Sequence, residues 1–188
     1  MKIIGLCGQP ASGKDTAADF FVEKGFLHLS TGDILREEMI KQGIPVDREH
    51  MGAFGAKTKK ERGMGYLAEL AADKIMVNSN ASNGSNTKAV VSGLRAALEI
   101  DILRKRFGDE FTLLAIDAPI ELRYERAKKR NRPGDDLTFE QFRAQEENER
   151  NHPSGAQEVD KVIALADKVI NNSGTIEDLK DKLEQSIH

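Results

Sequence analysis

The sequence predicts an α/β fold: a five-stranded parallel sheet with helices on both faces. Two observations carry this. Short apolar, β-branched runs alternate along the chain with longer stretches of helical periodicity, the pattern of strands buried on both faces. The first apolar run also feeds straight into a glycine-rich turn that opens a helix. No internal repeat competes with this reading, and ligands of such sheets sit beyond the strands' carboxyl ends. Those ends fall just after Cys7, Leu29, Ser92, Ile116 and Ile170.

Residues 2–7 (KIIGLC) read as the first strand, and from Asp15 the spacing of Ala18, Phe21 and Val22 is helical until Gly25. Phe26 to Leu29 is a short second strand, followed by a helix from about Gly32 to Gln42. Residues 47–62 are polar and leave their state open. Residues 64–77 return to helix, with Leu67, Leu70, Ala71, Ile75 and Met76 on one stripe. Asn78–Thr87 is loop by composition. Then come strand 88–92, helix 95–106, strand 111–116 and helix 119–130. Beyond a charged stretch with Pro133 and Gly134, helix 138–150 leads to a Pro/Ser/Gly break, strand 167–170 and helix 175–187.

Composition narrows the function. At 188 residues the chain is expected to form one domain with a sizeable core. With 28 basic against 31 acidic residues, no excess charge attracts nucleic acid. One cysteine forms no intramolecular disulfide, and four scattered histidines suggest no metal cluster. No run is long enough for a signal peptide or membrane span. The expectation is a cytoplasmic protein, monomer or homodimer, acting on small molecules.

The chemistry concentrates in Gly8-Gln-Pro-Ala-Ser-Gly13-Lys14, a G-x-x-x-x-G-K loop between strand and helix. Glycines let successive N–H groups turn inward onto phosphate oxygens. The helix adds its positive N-terminal end, and the lysine reaches the β- and γ-phosphates. Gly8, Ala11, Ser12, Gly13, Lys14, Asp15 and Thr16 are therefore the candidate ATP-binding residues. The hydroxyl that helps to hold Mg²⁺ normally follows the lysine. Here Asp15 occupies that place, so Thr16 is the metal candidate, directly or through water, and Asp15 alternatively caps the helix.

Further candidates stand at the other strand ends. Ser30-x-x-Asp33 is by itself a helix-cap pattern, with Thr31 and Arg36 beside it. Arg95 follows the third strand. Arg123, Arg126 and Arg130 share one helical stripe, and Arg132 and Arg143 lie further on. A charge run is often only a solvated face, and for Arg123, Lys128 and Lys129 that reading stands beside a role at the site.

GQPASGKDT resembles the G-x-P-x-x-G-K-x-T loop of adenylate kinases and other nucleoside monophosphate kinases, and STGDILR resembles their S-T-G-D-x-L-R segment. Gly93-Leu-Arg95 is similar to their D-G-x-x-R segment, one residue shorter and with Ser92 where the family has an acid. The arginines around Asp135–Asp136 resemble a short lid. The resemblance implies a P-loop NTPase fold and ATP with Mg²⁺. Thr31, Arg36 and Arg95 would then bind the acceptor, within a helical segment at about 31–78. Arg126, Arg130, Arg132 and Arg143 would close over the phosphates from a lid at about 130–143. Ala166–Gly174 (ADKVINNSG) also resembles the ending of dephospho-CoA kinases, which implies Asn171, with Asn172, near the donor adenine. The expected reaction is phosphoryl transfer from ATP to a nucleoside monophosphate. Dephospho-CoA or another small acceptor is the alternative, and an ATP- or GTP-sensing switch a second one.

Overall fold

The computed structural model describes residues 1–81, 87–131, 135–151 and 158–187. Its sheet comprises β1 (Lys2–Cys7), β2 (Leu27–Ser30), β3 (Lys88–Ser92), β4 (Phe111–Asp117) and β5 (Lys168–Asn171). All pairings are parallel, in the order β2-β3-β1-β4-β5. β1 is central because its residues are apolar on both faces. Ile3 and Cys7 join Ala89, Val91, Leu113 and Ala115 on one side. Ile4 and Leu6 join Val90, Leu114, Ile116 and Ile170 on the other.

The first side is covered by α4 (Tyr66–Ala81), α5 (Ala97–Phe107) and α8 (Val159–Ala164), through Ala71, Ile75, Ile100, Leu103 and Val162. The second is covered by α1 (Lys14–Glu23) and α9 (Ile176–Ser186), through Ala17, Phe21, Leu179 and Leu183. A small third cluster of Leu35, Met39 and Phe54 joins α2 (Thr31–Lys41) to α3 (Arg48–Arg62). α6 (Ile120–Arg130) and α7 (Phe139–Asn151) pack through Tyr124 against Phe139 and Phe142. Among the described residues no helix is long and apolar enough to cross a membrane.

Three expectations about elements change. Residues 48–62, left open by their polarity, form α3, started by Asp47, whose carboxylate accepts from the His50 N–H at 2.9 Å. The stretch 78–87 is not all loop, since α4 carries on to Ala81 before the undescribed residues 82–86. The six-residue α8, anchored by Val162, was too short for its periodicity to show.

Candidate active site

The loop between β1 and α1 is built from backbone conformations that side chains resist. Gly8 (φ 141°), Ala11 (φ 58°) and Gly13 (φ 106°) all have positive φ. A Cβ on Gly8 would lie 2.2 Å from the Ile116 carbonyl oxygen at the end of β4. Lys14 curls back over this loop, its Nζ donating to the carbonyls of Gly8 (2.9 Å) and Gln9 (2.7 Å). Burial, then the Arg95 guanidinium, push the lysine down to about 8. The loop thus presents a largely buried ammonium group, its charge disfavoured by burial and Arg95 and favoured by the Asp15 carboxylate. The Cys7 thiol behind it is pushed up to about 12 by burial and is no nucleophile.

A cavity of about 450 Å³ opens in front of the loop. Its walls are Ala11, Gly13, Lys14, Asp15 and Thr16, then Arg126, Lys129 and Arg130 of α6, and Asn172, Gly174, Thr175, Ile176 and Leu179. Arg126 donates from Nη2 to the Asn172 carbonyl at 2.9 Å. Its Nη1 is buried without a partner among the described residues. Arg130 forms a two-pronged pair with Asp135, at 2.8 and 2.9 Å. Gly8 and Ser12 stand behind the cavity wall. Ser12 is fully buried and offers its carbonyl to the side chain of Asn172.

Several candidates are placed differently from expectation. Asn171 does not line the cavity; its side-chain oxygen accepts from the Ser173 N–H at 3.0 Å, and the buried neighbour Asn172 lines it instead. The alternation of side chains along β5 decides between the two asparagines. Arg143 is also outside the cavity. Phe139 and Phe142 fix α7 against Tyr124, and Arg143 pairs with Glu147 at 3.1 Å beside a separate hollow. Arg132 lies outside the described residues. Arg123 is no solvated residue: it is 4% exposed, donates to the Ala118 carbonyl, and binds both carboxylate oxygens of Glu146. Asp15 does not cap α1. The helix begins at Lys14 with Gly13 in the cap position, so Asp15 sits in the first turn, favourable to the helix dipole.

On the opposite side of the loop, Thr31 is buried and donates its hydroxyl to the Gly93 carbonyl at 2.9 Å, tying the ends of β2 and β3 together. Arg36 is exposed and paired with Asp33. The Arg95 side chain is exposed and near enough to Lys14 to disfavour its charge. Its backbone N–H donates to the buried carboxylate of Glu99 at 2.7 Å. Lys59 of α3, which no sequence signal singled out, belongs to the same electrostatic group: burial and then Arg95 lower it, while Glu99 pulls the other way. Ser92 shares a 2.8 Å hydrogen bond with His28.

The site suits Mg²⁺ in a limited way. Asp15 and Thr16 place a carboxylate and a hydroxyl on the cavity wall, both hard oxygen donors. Among the described residues no three His, Cys, Asp or Glu side chains come together. An ion here would take its remaining ligands from nucleotide phosphates and water, as Mg²⁺ commonly does.

A glycine-rich phosphate loop at the carboxyl end of the central strand, with an arginine-bearing helix on its rim, defines a P-loop kinase-like domain. The chain belongs to the AAA domain family, whose model matches residues 7–143. Its relatives are named UPF0200 proteins: that of Pyrococcus abyssi is 38% identical over 183 residues, covering 97% of this chain and 93% of the relative. The UPF0200/UPF0201 protein of Archaeoglobus fulgidus is 33% identical over 98% of this chain, which spans 54%, about half, of that longer relative. Among solved structures, shikimate kinase from Acinetobacter baumannii in complex with shikimate has a TM-score of 0.53. It is 19% identical and covers 100% of this chain and 93% of its own. That likeness speaks for the fold.

Proposed function

We propose that this chain transfers the γ-phosphoryl group of ATP to the phosphate of a nucleoside monophosphate, giving ADP and a nucleoside diphosphate. The observation that carries this reading is the charge around the phosphate loop. Arg95, from the end of β3, bears on Lys14 from one side, and Arg126 lines the cavity from the other with a buried, unpartnered Nη1. Partly buried cations gathered around one loop are unfavourable until an anion lies among them. Phosphates on both sides of the transferred group meet that need.

In this reading an oxygen of the acceptor phosphate attacks the γ-phosphorus in line, and the bond to the β–γ bridging oxygen breaks with ADP leaving. Lys14 exchanges the Gly8 and Gln9 carbonyls for phosphate oxygens. Arg126 and Arg130 stabilise charge on the transferring group, and Arg95 with Arg36 holds the acceptor. Mg²⁺, held beside Thr16 and Asp15, would screen the donor phosphates. No protein nucleophile is required. The STGDILR and GQPASGKDT segments support a nucleotide acceptor, and the shikimate kinase likeness is compatible with other small acceptors.

The test is product analysis after incubation with Mg-ATP and separate acceptors: AMP, CMP, UMP, GMP, the deoxynucleotides and dephospho-CoA. Diphosphate formed by the wild type and lost in Lys14→Ala is the expected result. Turnover of dephospho-CoA alone would move the acceptor to a coenzyme precursor. ATP hydrolysis that no acceptor stimulates would point to a nucleotide-sensing switch.

A further inference from the structure

We infer that Asn172 is a positioning residue that sets the shape of the phosphate loop and joins it to Arg126, an inference resting on the proposal that the loop binds the donor's phosphates. Asn172 is 5% exposed, immediately after β5, and three of its polar contacts run to the site's framework. Its backbone N–H donates to the Asp117 carbonyl at 2.7 Å, fixing it to the end of β4. Its carbonyl accepts from Arg126 Nη2 at 2.9 Å. Its side-chain Nδ2 donates to the Ser12 carbonyl at 2.8 Å.

The last bond has a directional consequence. The Ser12 carbonyl and the Gly13 N–H belong to one planar trans peptide, in which they point in opposite directions. Holding the carbonyl toward Asn172 therefore turns the Gly13 N–H away from β5, back over the loop. The same contact explains why the loop's second glycine is needed. Gly13 has φ 106°, and a Cβ on it would lie 2.2 Å from Asn172 Nδ2. The asparagine side chain thus orients a loop amide and excludes any side chain at Gly13, while the backbone carbonyl of the same residue holds the guanidinium that faces the cavity.

The experiment measures ATP and inorganic tripolyphosphate affinity, acceptor KM and amide hydrogen exchange for wild type, Asn172→Ala and Asn172→Asp. The aspartate keeps the size but cannot donate to the Ser12 carbonyl when ionised. Both variants are expected to weaken ATP and tripolyphosphate about equally, by about tenfold or more, with acceptor KM within about twofold. Residues 8–14 should exchange faster in both apo variants while β1 and β4 keep their protection, which general destabilisation would not produce. Wild-type-like tripolyphosphate affinity in Asn172→Asp, or exchange accelerated equally throughout the sheet, would overturn the inference. Should wild type and Lys14→Ala bind tripolyphosphate equally well, the phosphate-loop reading itself fails, and this inference with it.

Discussion

Lys14 is held at about 8, well below its ordinary 10.5, chiefly by burial and next by Arg95. A phosphate lying against its ammonium group restores the charged form, so the bound lysine titrates higher than the free one. Affinity for ATP is then full below pH 8 and falls as pH rises above it, because the free protein must take up a proton to bind. Titration calorimetry between pH 7 and 9.5 should show weakening with an onset near pH 8. At pH 9 the binding enthalpy should vary with the buffer's ionisation heat. Linkage gives the opposite sign for the free protein's stability: between pH 8 and 10.5 the unfolded chain binds more protons than the folded one, so this lysine's contribution rises with pH. Equal ATP affinity at pH 7 and 9.5 would show that Lys14 does not meet the phosphates. The importance of this residue was legible because its chemistry is local, fixed by spacing to two glycines. That Asn172 rather than Asn171 meets the loop was not, because it depends on which face of a four-residue strand and its continuation turns toward a loop 160 residues away.

Helices α6 and α7 are joined by a contact whose cost and benefit belong to the pair. Arg123 and Glu146 have side chains only 5% and 6% exposed, and the guanidinium also reaches the Pro10 carbonyl in the phosphate loop at 3.5 Å. Removing one partner leaves a charge buried without its counter-ion. Glu146→Ala is thus expected to lower stability by about 3–5 kcal/mol. Arg123→Met with Glu146→Leu should cost much less than the two single changes added together, which a denaturant double-mutant cycle would read. Additive losses would mean that the two residues act separately. Sequence spacing had put Arg123 on one stripe with Arg126 and Arg130, correctly. It could not show that the first of the three turns inward to an acid on another helix. For the same reason Arg143 looked like a lid residue: its distance from the cavity is set by Phe139 and Phe142 packing on Tyr124.

Across the whole molecule, legibility follows the core. The strands of the central sheet are apolar on both faces, so β1, β3 and β4 stand out from sequence as continuous runs. α3 did not, since its apolar contacts are confined to the small cluster of Leu35, Met39 and Phe54, with Ile44, Met51 and Leu67 at its edge. That division has a mechanical consequence. α3 carries Lys59, one of the groups bearing on the Arg95 side of the site, yet it is not part of either large core. The cavity at the phosphate loop is lined instead by α1, α6, α9 and the loops before α1 and after β5. Local opening free energies track such differences in buried contact, so α3 amides should exchange before those of β1 and β4 in the free protein. Phe54→Ala, which empties the small cluster, should cost about 3 kcal/mol or less and show mainly as faster exchange in α2 and α3. ATP affinity should stay within about twofold while acceptor KM rises about tenfold, since only the segment proposed to hold the acceptor is loosened. If ATP affinity falls as far as acceptor affinity, the small cluster is continuous with the main cores, and the segment 31–78 does not move as a separate acceptor-binding unit.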